Sequence, residues 1–112
     1  MKKIKSSLQE ARQIHSVHLA VGSDERLLQF LFHHKEPRLR EAPAVLLDEA
    51  AELSPADRVL IQCAIDLWNG EGGARFSNVL NVQGEDNFLN IIRAMLYTRE
   101  FGEDEWPHFL AY

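Results

Sequence analysis

The spacing of apolar positions divides the chain into helical stretches punctuated by glycine and proline. Ser7-Leu8-Gln9-Glu10 is a capping box, in which the serine hydroxyl takes an amide three residues on and the glutamate reaches back, and Leu8, Ala11, Ile14 and His15 then share one helical face. From Ser16 to Val21 apolar and polar residues alternate, so this stretch reads either as continued helix, the preferred reading, or as a short edge strand. Gly22 can take the left-handed conformation that ends helices, and Ser23-Asp24 caps a second helix over about 24–34. There Leu27, Leu28, Phe30, Leu31 and Phe32 cover more than half the circumference and leave Glu25, Arg26, Gln29 and His33 outside. The two helices are expected to form a hairpin over about 7–34.

Residues 35–42 are charged and bracketed by Pro37 and Pro43, each of which pushes its predecessor out of helical conformation, and they read as a linker. Pro43 suits the first turn of a third helix, over 43–52, because it lacks only an amide hydrogen that is unpaired there. Ser54-Pro55-Ala56-Asp57 is the strongest helix start in the chain: a serine cap, a proline at the first position, and an acid facing the positive end of the dipole. In the helix predicted over 55–69, Arg58, Gln62, Asp66 and Asn69 form one narrow polar stripe, so the remaining sides must be packed and this helix should be central. After Gly70, Gly72 and Gly73, residues 74–81 form a short helix or an irregular turn anchored by Phe76, Val79 and Leu80. A long helix follows from Glu85 to about Glu100, with Phe88, Leu89, Ile91, Ile92, Met95 and Leu96 on its buried face.

The fold class expected is all-α: a single domain built as a compact orthogonal bundle of about five helices, with a helical core over 43–101 and a tail over 102–112. The block from Leu53 to Phe101 has the layout of a trihelical, helix-turn-helix-like core.

Composition narrows this little further. A chain of 112 residues with 46% hydrophobic residues carries one core rather than two. No apolar run approaches the roughly 20 residues that cross a bilayer, so no membrane association is expected. The basic start Met1-Lys2-Lys3-Ile4-Lys5 lacks the continuous apolar segment of a signal peptide. Cys63, the one cysteine, makes no internal disulfide and suits a reducing compartment, which points to the cytoplasm. The net charge of −5 lies in the second half: residues 1–53 carry eight Lys/Arg and eight Asp/Glu, residues 54–112 four and nine. An acidic half is poorly suited to gripping a phosphate backbone.

No catalytic constellation stands out, and no enzyme activity, cofactor or metal is expected. His15, His18, His33 and His34 suggest a metal site at first sight. In a hairpin turning near Gly22, however, a rise of about 1.5 Å per residue puts His18 roughly 6 Å and His33 roughly 16 Å from the turn, so the pairs are offset. Cys63 lies mid-helix between Ile61 and Ile65, away from the cationic or helix-N-terminal settings that activate thiols. No Gly-x-Ser-x-Gly occurs, and Gly70-Glu71-Gly72-Gly73 lacks the lysine and hydroxyl of a phosphate loop. The acids Asp48, Glu49 and Glu52 suit a solvated helix face.

The least ordinary segment is the tail. Glu103, Asp104 and Glu105 precede Trp106, Phe109, Leu110 and Tyr112, a mixture that either docks apolar anchors into a partner's groove with charge steering or folds back onto its own core. The function this implies is a small interaction or regulatory module that binds a protein partner or self-associates through those residues. The alternative is a transcription regulator that reads nucleic acid with Asn87, Asn90, Arg93 and Arg99. Against it, the exposed face of that helix also carries Glu85, Asp86 and Glu100, so it is net acidic.

Overall fold

The structure is a computed structural model that describes the backbone of residues 2–36 and 38–101 and the side chains of residues 11–36 and 38–99. Among the described residues six helices follow one another: α1 (Lys2–Ala20), α2 (Glu25–Leu31), α3 (Pro43–Ala50), α4 (Pro55–Asn69), α5 (Phe76–Leu80) and α6 (Glu85–Phe101). The described residues are all-α, as expected for a bundle of about five helices, the sixth being the short α5 in the stretch read as helix or turn, and among them a single isolated bridge, between Phe32 and Leu39, stands in place of any strand.

The start of α4 is built as its sequence dictates. Ser54 Oγ accepts the Asp57 amide at 3.2 Å, Pro55 occupies the first turn, and Gly70 closes the helix in the left-handed region at φ 80°. Leu60, Ile61, Cys63, Ala64 and Ile65 are buried along it, and α1, α2, α3 and α6 all pack on it. It is the central helix.

Residues 16–20 are helical, and α1 ends at Ala20 before the turn through Gly22. Its start differs from expectation: the helix begins at Lys2, so the Ser7–Glu10 box lies inside it. The expected hairpin also gives way, because α1 packs chiefly on α6 and α4, whereas α2 packs on α4.

The second helix is shorter than predicted. Asp24 caps it by accepting the Arg26 amide at 2.9 Å, but at Phe32 the backbone turns extended. His33 N donates to Arg38 O at 2.8 Å, Arg40 N donates to Leu31 O at 2.7 Å, and His33 Nδ1 accepts the amides of Lys35 and Glu36. Those bonds are incompatible with helix continuing to residue 34. The stretch read as a linker is folded onto the body: Leu39 is buried, and Arg40 lies over the Phe30 ring at 5.3 Å, donates to Phe30 O and pairs with Glu49.

The buried face of α6 is rotated from the predicted one. Ile91, Ala94 and Tyr97 are buried, while Leu89, Met95 and Leu96 are exposed. The reason is α1, which lays its length against that face. Small Ala94 admits the close approach, Tyr97 stacks tilted on His15 at 4.6 Å between centroids, and Thr98 donates to buried Ser16 Oγ at 2.8 Å. The displaced apolar residues of α6 face elsewhere.

Candidate functional site

One of those displaced residues, Met95, belongs to a wall of an open groove. Phe88, Ile91, Ile92 and Met95 of α6 face Cys63, Asp66 and Leu67 of α4, and the far rim is made by Ala74 and by Phe76, Val79 and Leu80 of α5. The groove encloses about 440 Å³, within the range of roughly 300–1,000 Å³ typical of binding clefts. Three of its residues are bulky, apolar and wet: Phe76 is 78% exposed, Leu80 54% and Met95 51%. Phe76 and Leu80 were expected to anchor the segment in the core. Of Phe76, Val79 and Leu80, Val79 alone packs against the core, and Phe76 and Leu80, on the same face of this five-residue helix, stand exposed along the groove.

The rim is held in place from α4. Asp66 Oδ1 accepts the amides of Gly72 at 2.7 Å and Gly73 at 3.1 Å, and its Oδ2 accepts that of Ala74 at 2.9 Å. Gly72 is pressed so closely on α4 that a Cβ there would stand 1.9 Å from Gln62 O. The loop is thus stitched to the central helix, and α5 emerges from it at a set place over α6. In the groove itself Asp66, the one charged lining residue among the described residues, has both carboxylate oxygens committed to backbone amides. The Cys63 thiol is pushed up to about 11 by burial and, secondarily, by the Asp66 charge, so it stays protonated.

The residues singled out from sequence fall elsewhere. Trp106, Phe109, Leu110, Tyr112, Glu103, Asp104 and Glu105 lie outside the described residues. Asn87 is tied to its own loop, donating from Nδ2 to Gln83 O at 2.8 Å. Asn90 abuts Gly22 in the turn after α1, where a Cβ on the glycine would lie 2.6 Å from its Nδ2, and it accepts from Arg93. Arg93 and Arg99 are exposed. Of the four, the two carboxamides make hydrogen bonds within the protein, Asn90 to Arg93 of the same set.

The histidines are dispersed as well. His15 rests on Tyr97, His18 on Phe32 and His33 on His34, and among the described residues no three His, Cys, Asp or Glu side chains gather as a metal would require. No described helix is long and apolar enough to cross a membrane. Trp68 is half-buried, edge-on to Phe32 at 5.4 Å, with its carbonyl accepting from Gln13 at 2.7 Å. It belongs to the packing between α1, α2 and α4.

The groove was not anticipated as a site, although its signal was present. Apolar residues surround α6 more widely than one buried face requires, and a short helix rich in apolar residues follows a glycine loop that ties it down. No known protein family, characterised protein or solved structure matches this chain.

Proposed function

We propose that this protein is a small, non-enzymatic interaction module of the cytoplasm that receives a bulky apolar segment of a protein partner in the groove between α4, α5 and α6. The observation that carries the reading is the exposure of Phe76, Leu80 and Met95 around one concave apolar surface, where isolated exposed residues would call for no explanation. The lining supports binding rather than reaction: its carboxylate is spent on the loop amides, and its thiol is held protonated. An amphipathic helix with anchors at positions i, i+3 or i+4, and i+7 is the shape of ligand that such a groove accepts.

Panning a displayed library of random peptides on the purified protein tests this. Enriched peptides should carry two or three large apolar anchors, and their binding should be lost on the double substitution Phe76→Ser, Leu80→Gln. Peptides that bind the substituted protein equally well, or no enrichment on a protein whose Trp106 is as accessible as a free indole, would remove the proposal.

A further inference from the structure

The groove has a candidate occupant within the same chain. We infer that residues 102–112 dock back into it in cis, so that a partner must displace the protein's own tail. The inference rests on reading the groove as an apolar docking site, and it adds which segment fills it.

Tethering makes the case. Helix α6 is a groove wall, and the tail leaves directly from its last residue, Phe101. At about 1.5 Å rise per residue, Met95 lies about 9 Å back along the axis from Phe101, Ile92 about 13 Å and Phe88 about 20 Å. An extended chain covers about 3.3 Å per residue, so Trp106 can reach some 17 Å from Phe101 and Phe109 some 26 Å. Every level of the groove is thus within reach of an anchor without unwinding α6. Gly102, immediately after the helix, is the residue type that permits a sharp reversal there.

The chemistry matches as well. Trp106, Phe109 and Leu110 stand at i, i+3 and i+4, the spacing by which one face of a helical turn presents anchors, and the groove offers exposed Phe76, Leu80 and Met95 to receive them. The acidic run Glu103, Asp104 and Glu105 precedes the anchors and need not enter the groove. A short tether holds the tail at an effective concentration on the order of millimolar, so an untethered ligand of equal intrinsic affinity competes poorly. The acidic aromatic tail and the open groove, each unaccounted for alone, are then two halves of one contact.

Fluorine NMR on the full chain labelled with fluorotryptophan tests it. The two resonances, from Trp68 and Trp106, are assigned with Trp106→Phe. The Trp106 signal should be shielded several-fold from a soluble paramagnetic relaxation agent, independently of protein concentration, and should lose that shielding in the Phe76→Ser, Leu80→Gln protein. Three results overturn the inference: a Trp106 signal already as accessible as a free indole, shielding that the groove substitutions leave unchanged, or shielding that grows with concentration, which would assign the tail to a second copy. Peptides that bind the groove while Trp106 stays accessible would preserve the docking reading and sink only this one. Circular dichroism confirms that the substituted protein retains its helices, as expected for two exposed positions.

Discussion

Gly72 and Asp66 meet twice over: the glycine amide donates to the aspartate carboxylate at 2.7 Å, and a Cβ on the glycine would fall 2.7 Å from the aspartate's backbone nitrogen and 1.9 Å from Gln62 O. Gly72 is held to glycine by lack of space, whereas Gly70 has nothing within 4 Å of its missing Cβ and is held by its φ of 80°. Gly72→Ala should therefore cost about 2–3 kcal/mol, since backbone cannot yield as a flexible side chain does. Gly70→Ala should cost about 1–2 kcal/mol, the left-handed strain alone. Urea unfolding of both gives the ranking, and the reverse order would show that the loop is not pressed on α4.

The Asp66 carboxylate serves three amides of the same loop, so removing it leaves donors that only water can satisfy. Asp66→Ala should lower stability by about 2–3 kcal/mol. Amide hydrogen exchange at residues 72–74 should quicken beyond the change elsewhere in the chain. Uniform acceleration would mean that the carboxylate supports the whole fold rather than the groove rim.

Arg26 joins the starts of α2 and α4 by gripping Asp57 through Nη1 at 2.8 Å and Nη2 at 3.3 Å. The hydrogen bond from Arg26 is the main cause holding the Asp57 carboxyl below its usual 3.8, against some opposition from burial. A carboxyl depressed in the folded state contributes stability above its unfolded value, and that contribution is lost as pH falls through the folded value. Because the arginine is largely exposed, Asp57→Asn should cost no more than about 1 kcal/mol at neutral pH. The difference from the parent should shrink in acid, below the usual 3.8, and vanish once pH has passed the folded value. Denaturant titrations at neutral and acid pH check it; a difference that persists in acid would trace to the helix cap instead.

Much of the architecture was legible because local chemistry and burial agreed. Ser54, Pro55 and Gly70 delimit α4, and its single polar stripe identifies it as the centre. Where the sequence pattern misled, tertiary partners decided. Phe32 and His33 are apolar and polar in helical phase, yet Arg38 and Arg40 capture their stretch of backbone into a closed turn. The buried stripe of α6 follows Ala94 and Tyr97 because α1 needs a small residue and a ring there, and periodicity alone favours the bulkier Met95 and Leu96. The groove depends on three helices at once, so no one-dimensional pattern displays it.

His18 lies against Phe32, and its pKa is lowered below 6.5, first by burial and then by the charge of His15 one turn earlier. A histidine lowered in the folded state binds its proton more readily once unfolded. Its contribution is therefore intact above 6.5 and declines as pH drops below that value, levelling beneath the folded value. Thermal melts at about pH 7.5 and about pH 5.5 should show the parent losing stability with acid, and His18→Gln should lose less over the same interval. An equal slope in both proteins would move the pH dependence to other groups.

Cys63 offers a direct view of the groove floor, since it is the one cysteine, is 6% exposed and lines the cavity. With its pKa raised from 9.0 to about 11, the thiolate fraction near pH 8 is about a hundredfold below that of an unperturbed thiol. Alkylation by iodoacetamide should then be at least about two orders of magnitude slower in the native protein than in urea, burial adding to the chemical effect. Because Cys63 lines the groove, an enriched peptide seated there should slow it further. Native labelling as fast as in urea would mean that α5 opens away from α6, and the groove would then be a moving gate rather than a formed cleft.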